Sequence, residues 1–312
     1  MSRVLAIDGG QTGLRARLAD DPRIVTVPGV VRLDPDPNAS LAVRIEELWL
    51  ALGEPAVETV SMGLTTMPST ADAARALTSA VAAFTGAATV YAAEDAITAH
   101  LGALPGFVGV SLTAGTGIAC IGSVPDRGAV RIDGHGVLLG DDGGGFWIGR
   151  EGIRAVLRLR EGRGPVTSLD DAAIAAFGRV RDLATTVHER DDPVLEITMF
   201  ASAVAEAATE HDAVALGIVA AAAAALADTI TTTVTRLDAD GHLPLTLGGR
   251  VLSTDGPSGV REHLLALLAR DRVPVVPMIA IGSPLDGAVT LGIHGVPTAF
   301  ATEVHVYRRE QP

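Results

Sequence analysis

The sequence predicts an α/β fold built from two related domains. Strand-like and helix-like apolar patterns alternate along most of the chain, which is typical of sheets covered by helices. In addition, an apolar strand, a turn rich in glycine and threonine and a second strand occur near residue 4 and again near residue 108. This repeat predicts one domain over 1–108 and another over 109–312, with the option that the C-terminal helix packs back on the first domain.

The composition indicates a compact chain and narrows its partners. The chain has 312 residues, 48% of them hydrophobic, which is enough apolar material for about two cores. The net charge of -13 argues against nucleic acid or an anionic membrane as a partner, because both favour basic surfaces. Cys120 is the only cysteine, which excludes a disulfide framework, and the N-terminal apolar strand does not resemble a signal peptide. We therefore expect a cytoplasmic protein.

All 24 basic residues are arginines, which excludes several enzyme classes. Without lysine there is no Walker A motif, no third-strand lysine of a protein kinase and no Schiff base for pyridoxal phosphate or an aldolase. This chemical exclusion holds whatever the origin of the bias.

Apolar periodicity predicts the elements of the first domain in order. Short apolar runs indicate strands, and helical spacing is clearest where Leu41, Ile45 and Leu48 share one face. The polar segment before that helix offers Asn38 or Ser40 as its N-cap. The predicted elements are strands at 4–7, 14–18 and 23–31, a helix at 41–52, a strand at 57–64, a helix at 71–84, a strand at 88–92 and a helix at 96–104.

The second domain continues the alternation of strands and helices. Its long alanine-rich helix at 214–236 is interpreted as structural, and Pro284 suits the first turn of a C-terminal helix. The predicted elements are strands at 108–112 and 118–124, helices at 146–160, 169–184, 193–208 and 214–236, a strand at 244–247, a helix at 260–270, a strand at 273–277, the C-terminal helix and an edge strand at 302–307.

The turn after the first strand has the composition of a phosphate-binding loop. Gly9 and Gly10 lack Cβ atoms, so their backbone is free to adopt positive φ and to bring N–H groups close to a phosphate. Thr12 adds a hydroxyl, and Asp8 at the strand end suits a carboxylate that holds Mg²⁺ through water. An ordinary hairpin with a solvated aspartate is the alternative interpretation.

Asp95 follows another predicted strand and precedes a helix. Ligands of open α/β sheets bind beyond the carboxyl ends of the strands, so this is a favoured position for a functional carboxylate. A helix N-cap is the competing interpretation of the same position.

Four segments, in this order, resemble a known superfamily. They are AIDGGQT, EDA around Asp95, LTAGTGIA and GDDGGGFWIG. These segments are similar to motifs of the sugar kinase, hsp70 and actin superfamily, and most of all to its branch of N-acetylglucosamine kinases, glucosamine kinases and BadF-type ATPases. The resemblance spans about 4–292. It implies two actin-like (ribonuclease H-like) domains, with mixed sheets flanked by helices and an interdomain cleft.

The segment Asp133–Gly152 has the most unusual local sequence. Its glycines at 134, 136, 140, 143, 144 and 145 exclude a regular strand or helix and predict a tight loop. Asp141 and Asp142, if buried, offer acceptors to sugar hydroxyls, whereas a surface turn with solvated aspartates is the alternative. The resemblance implies that Asp141 holds the sugar and that Gly134 and His135 border its 2-substituent. His135 stands where a tryptophan is expected in animal-type N-acetylglucosamine kinases.

The resemblance implies an enzyme that uses ATP and Mg²⁺ to phosphorylate the 6-hydroxyl of an amino sugar, with Asp95 as general base and Asp8 near the metal. Phosphates and nucleotide are expected at Gly9, Gly10, Gln11, Thr12, Gly115, Thr116, Gly117, Gly248, Gly249 and Arg250, the last three around the adenosine. Sugar contacts are expected at Asn38, Thr65, Asp95, Thr116, Gly134, His135, Asp141 and Asp142. Helix capping is the alternative role of Asn38. An ordinary ion pair is the alternative role of Arg250.

The sequence leaves two amino sugars as candidate substrates. The missing tryptophan and the acidic Asp133, Asp141 and Asp142 favour glucosamine, whose ammonium a carboxylate stabilises. N-acetylglucosamine is the alternative, and muramyl or plain hexose substrates are further options. A rival of another class is an ATPase or sugar-sensing module of the same fold, although activator ATPases of this branch need more cysteines than Cys120. A homodimer is left open.

Overall fold

The computed structural model describes residues 3–10, 13–30, 36–180, 182–253 and 259–309. The chain forms two compact units. The first consists of Met1–Gly109, Ser123–Ala129 and Ile279–Pro312, and the second of Val110–Gly122 and Val130–Met278. The C-terminal segment thus belongs to the first unit.

The first sheet has six strands in the part of the chain that the structure describes. They are β1 (Val4–Gly9), β2 (Gly13–Leu18), β3 (Val25–Pro28), β4 (Thr59–Leu64), β5 (Thr89–Glu94) and β11 (His305–Arg308). Their order in the sheet is β11-β5-β4-β1-β2-β3. β1, β4 and β5 run parallel, whereas β2, β3 and β11 are antiparallel to their neighbours. The carboxyl ends of three parallel strands therefore lie at one edge of this sheet.

Helices cover both faces of the first sheet. They are α1 (Pro37–Ala51), α2 (Ala71–Thr85), α3 (Asp95–Ala103) and α10 (Pro284–His294). Successive residues of a strand point to opposite faces. Accordingly, Leu5 and Ile7 of β1 lie in the core that includes side chains of α1 and α2, whereas Ala6 packs with Leu285 and Ala288 of α10. β1 is buried on both sides, as its unbroken apolar run predicts.

The second sheet repeats the topology of the first. Its strands are β6 (Gly109–Ala114), β7 (Ile118–Val124), β8 (Gly128–Ile132), β9 (Leu243–Gly248) and β10 (Val275–Met278). Their order, β10-β9-β6-β7-β8, corresponds strand by strand to β5-β4-β1-β2-β3. β6, β9 and β10 are parallel. The prediction of two related domains with mixed sheets is confirmed by this repeat.

Six helices accompany the second sheet within the described residues. They are α4 (Gly145–Arg160), α5 (Leu169–Phe177), α6 (Leu183–His188), α7 (Pro193–Thr209), α8 (Ala213–Leu237) and α9 (Val260–Arg270). In the described ranges α8 is the one helix long and apolar enough to cross a membrane. It is also a core helix, because Leu226, Ile230 and Thr233 on one of its faces are buried inside the protein.

Two predictions of local structure are wrong. The first concerns the N-cap of α1, which is Asp36 and not Asn38 or Ser40: the Asp36 carboxylate accepts the N–H of Ala39 at 3.0 Å. The second concerns the single helix predicted at 169–184. The chain breaks there into α5 and α6, because Gly178 adopts a φ of +83° that no helix accommodates.

Candidate active site

Asp8 lies near the end of β1, at the edge where the parallel strands terminate. Its side chain is buried, with 8% of the residue exposed. In the hairpin register Asp8 pairs with Arg15 of β2, and the Arg15 guanidinium donates to the Asp8 carboxylate at 2.5 Å. Arg15 itself is half exposed, with 52% of its side chain accessible.

Opposing influences set the pKa of Asp8. Burial raises this pKa, the hydrogen bond and positive charge of Arg15 lower it, and the negative charge of Asp95 raises it. Burial has the largest effect, so the pKa of Asp8 lies above its ordinary value of 3.8. A further cation beside this buried carboxylate would stabilise its ionised form. Aspartate carboxylates are among the ligands that bind Mg²⁺ in proteins.

Asp95 is the first residue of α3, directly beyond β5. The N-cap interpretation is wrong, because Glu94 occupies that position and makes no side-chain capping bond. Instead, the Asp95 carboxylate accepts the hydroxyl of Thr65 at 2.5 Å. Thr65 follows β4, and its N–H donates to the carbonyl of Gly9 at 2.8 Å. Thr65 thus ties the ends of three parallel strands together.

The predicted phosphate turn differs from expectation in its backbone. Neither Gly9 nor Gly10 adopts positive φ. Gly9 ends β1, where a Cβ would lie 2.8 Å from the side chain of Leu64, and the Gly10 N–H donates to the Gly13 carbonyl at 2.9 Å. These glycines therefore permit close strand packing and a tight turn. The predicted phosphate ligands Gln11 and Thr12 lie outside the described residues.

The second unit carries the corresponding turn, Gly115 to Gly117, between β6 and β7. The Gly115 N–H donates to the Gly117 carbonyl at 2.9 Å. The carbonyls of Gly115 and Thr116 accept the N–H groups of Gly145 and Phe146 at 2.8 and 2.9 Å. The turn is thereby joined to the first residues of α4, and Thr116 is exposed.

The loop before α4 contains the predicted sugar-binding carboxylates. Asp141 is buried, with 6% exposed, and its carboxylate accepts the Gly136 N–H at 3.3 Å. Asp142 is exposed, so the expectation of a buried Asp142 is wrong. Gly134 has a φ of +75°, and His135 is exposed. Only one of the two adjacent aspartates is therefore held inside the loop.

In the predicted adenosine segment, 248–250, close packing of the backbone requires a glycine. Gly249 adopts a φ of +85°, and a Cβ there would lie 2.2 Å from the carbonyl oxygen of Ala114. Neighbouring strands thus demand glycine at this position regardless of any ligand. Gly248 is half-buried, while Gly249 and Arg250 are exposed at the start of a short 3-10 helix.

Asn38 lies in the first turn of α1 and is half-buried. Among the residues that the structure describes, no group of three or more His, Cys, Asp or Glu side chains could hold a metal ion.

Arg15 is the site residue that the sequence interpretation missed. The signal was present in the register of the hairpin, because a turn that pairs Gly9 with Leu14 also pairs Asp8 with Arg15. A basic residue opposite an acidic residue on neighbouring antiparallel strands is a favourable cross-strand pair.

Most of the chain matches one known protein family. The family model described as the BadF/BadG/BcrA/BcrD ATPase family matches residues 5–267. No curated protein matches the sequence.

Three solved structures illustrate the likeness of the fold. A protein of Chromobacterium violaceum provisionally assigned as an N-acetylglucosamine kinase has 21% identity and a TM-score of 0.70, over 93% of this chain and 99% of that chain. Its counterpart from Porphyromonas gingivalis has 19% identity and a TM-score of 0.69, over 93% and 98%. A ROK family glucokinase of Streptomyces griseus, solved with glucose and AMPPNP, has 16% identity and a TM-score of 0.56, over 94% and 100%. The chain therefore has the mixed α/β fold of actin-like sugar kinases.

Proposed function

Since this chain belongs to the BadF/BadG/BcrA/BcrD ATPase family, we propose that it is an ATP-dependent sugar kinase, which transfers phosphate to the 6-hydroxyl of an amino sugar. Glucosamine is the proposed substrate, and N-acetylglucosamine is the alternative. The solved structures with the same fold include proteins described as N-acetylglucosamine kinases and a glucokinase.

The observation that carries the proposal is the position of Asp8, Thr65 and Asp95 at the ends of three parallel strands, where Thr65 bonds both to Asp95 and to Gly9, the residue that follows Asp8. A general base must be accessible and correctly oriented. Asp95 is half-buried, and the Thr65 hydroxyl fixes one of its oxygens, while the other is proposed to accept the proton of the sugar hydroxyl.

Asp8 would hold Mg²⁺ through water, and the metal would neutralise charge on the phosphate oxygens of ATP. The chain has no lysine for that purpose. Backbone N–H groups of the two glycine turns, 9–12 and 115–117, are the proposed additional contacts to the phosphates. Arg15 keeps an ionised Asp8 paired in the absence of a metal.

The second unit would supply the sugar contacts. Asp141 is buried and fixed by the Gly136 N–H, as expected for an acceptor that orients a sugar hydroxyl. Asp133 and Asp142 lie in the same loop, and their negative charge favours the glucosamine ammonium over a neutral acetamide. His135 is exposed and offers no aromatic wall comparable to a buried tryptophan.

ADP release with ATP and Mg²⁺ tests the proposal, with glucosamine, N-acetylglucosamine, glucose and no sugar run in parallel. Release that depends on glucosamine supports the proposed substrate. Equal or faster release with N-acetylglucosamine selects the alternative. Release that no sugar accelerates, or no release at all, would replace the kinase with an ATPase or a sugar-sensing module.

Asp95→Asn tests the general base within the same assay. We expect kcat to fall by about 10² to 10⁴, the usual contribution of a general base, while both substrates still bind. Asp126→Asn, an equal charge change in the exposed turn between β7 and β8, is the matched control. Retention of more than about a tenth of kcat in Asp95→Asn would reject the assignment.

A further inference from the structure

We propose that Asp133 is a positioning residue that fixes the backbone of Asp141, so that the Asp141 carboxylate is held ready for the sugar. This inference rests on the proposed function and assigns a separate role to a neighbouring acidic residue of the same loop.

The hydrogen bonds of Asp133 close the loop from its beginning to its end. One oxygen of its carboxylate accepts the N–H of Asp141 at 2.9 Å, and the other accepts the N–H of Asp142 at 3.3 Å. Both oxygens thus face the backbone of the loop. Asp133 therefore acts on the sugar through Asp141 and not by direct contact.

The glycines around these carboxylates show how closely the loop is packed. A Cβ on Gly140 would lie 2.2 Å from an Asp133 oxygen, and a Cβ on Gly117 would lie 2.0 Å from an Asp141 oxygen. Glycine is required at both positions because the carboxylates occupy the space of a side chain. The Asp141 carboxylate therefore lies directly against the 115–117 turn.

The backbone of the loop needs this support. Asp133 has a φ of +58° and Asp141 a φ of +61°, both in the left-handed region. Residues other than glycine adopt this region rarely, and such a conformation persists only where neighbouring groups enforce it. The two N–H groups that Asp133 accepts belong to Asp141 itself and to the next residue, so they restrain the backbone where the strain lies.

The inference predicts separate effects on exchange and on substrate binding. In Asp133→Ala the amides of Asp141 and Asp142 should exchange hydrogen about tenfold faster, and the KM for glucosamine should rise about tenfold, as expected for the loss of a charge-assisted hydrogen bond. The KM for ATP should stay unchanged. Asp133→Asn should lie between wild type and Asp133→Ala, because its amide oxygen still accepts one N–H. Asp126→Ala should match wild type.

Hydrogen exchange by mass spectrometry and steady-state kinetics, applied to the same full-length variants, distinguish the outcomes. Unchanged exchange at 141 and 142 in Asp133→Ala would overturn the inference. Faster exchange with an unchanged glucosamine KM, or an equal rise of both KM values, would overturn it as well, since either leaves only a general structural role. A wild-type protein without sugar-dependent turnover would instead reject the proposed function and, with it, the role of Asp133 towards a sugar.

Discussion

At the scale of single residues, Arg15 opposes the effect of burial on the charge state of Asp8. Burial raises the pKa of Asp8, and Arg15 opposes the rise. Replacement by a neutral residue should raise that pKa further, so a larger fraction of Asp8 is protonated on the acid side of neutrality. If ionised Asp8 is required for turnover, Arg15→Gln should move the acid limb of the kcat/KM profile to higher pH. A pH series of the ADP-release assay measures this shift.

Arg15→Lys is the control for that experiment. It keeps a positive charge opposite Asp8 and should leave the acid limb close to that of wild type. A uniform loss of kcat/KM at every pH in Arg15→Gln, without movement of the limb, would contradict the electrostatic role and indicate a direct contact with substrate.

The hydroxyl of Ser61 on β4 is not expected to contribute to the stability of the fold. Its hydroxyl is fully buried and has no hydrogen-bond partner within the described residues. A buried hydroxyl without a partner carries a desolvation penalty, so Ser61→Ala should leave the free energy of unfolding unchanged or raise it by about 1 kcal/mol. Urea unfolding measures the change.

Ser123→Ala is the matched substitution for comparison. Ser123 is also buried, but its hydroxyl donates to the Phe107 carbonyl and contacts the His100 ring at 2.9 Å. Its loss should cost about 1 to 3 kcal/mol. Equal destabilisation by the two substitutions would mean that the Ser61 hydroxyl is satisfied in solution.

At the scale of elements, Asp212 joins two helices of the second unit. One of its oxygens accepts the N–H groups of Val214 and Ala215 at the start of α8, and the other accepts the Ser168 N–H and the Thr167 hydroxyl near α5. Asp212→Ala should cost about 2 kcal/mol, the upper range for an N-cap. Asp192→Ala should cost less, because Asp192 caps α7 through the single N–H of Leu195.

The Asp212 contribution should depend on pH with a defined sign. Burial raises the pKa of Asp212, but the hydrogen bonds from Ala215, Ser168 and Thr167 outweigh it, so the pKa is lowered. The stabilisation is therefore present above the unfolded pKa of 3.8 and is lost as pH falls through the folded pKa. Thermal unfolding of wild type and Asp212→Ala should differ at neutral pH and converge in acid. A constant difference would contradict this account.

Elements with strong periodicity were predictable from the sequence, whereas local geometry was not. The bounds of β7 and α9 agree with their predicted ranges because apolar spacing determines both. The cap of α1 was misassigned because Asp36, Asn38 and Ser40 are all capping residue types, and only backbone geometry selects among them. The hydrogen bonds of Asp133 likewise depend on a loop without periodicity.

At the scale of the whole molecule, the repeated sheet order explains where the candidate functional residues occur. In each unit the first two strands of the sheet form a hairpin with a glycine turn. A further candidate residue follows later in the chain: Asp95 after β5 in the first unit, and Asp141 in the loop before α4 in the second. Asp8, Thr65 and Asp95 belong to the first unit, and Asp141 belongs to the second. Two similar hairpins in the sequence indicated two related α/β folds, and the matching strand orders of the two sheets agree with that. The Asp8–Arg15 pair follows from the hairpin register and was missed, whereas the Asp95–Thr65 pair joins residues 30 positions apart at the sheet edge and could not be predicted.

Cys120 provides a single reporter for the stability of the second unit. It lies on β7, is fully buried, and contacts the Thr233 hydroxyl at 3.2 Å. Burial raises the pKa of its thiol to about 12. Alkylation requires an accessible thiolate, so at neutral pH iodoacetamide should label the protein only when β7 becomes exposed. Cys120→Ser should show no labelling and controls for reaction elsewhere.

Sugar binding should slow this labelling, because a ligand that binds only the folded state reduces the open population by the factor 1 + [L]/Kd. Saturation with glucosamine should therefore lower the labelling rate of wild type, and Asp141→Asn, which weakens the proposed sugar contact, should remove most of the effect. Mass spectrometry of the alkylated protein measures both rates. Protection that persists in Asp141→Asn would show that the sugar is held by other residues. Labelling as fast as in urea, with or without glucosamine, would show that β7 opens without unfolding of its unit.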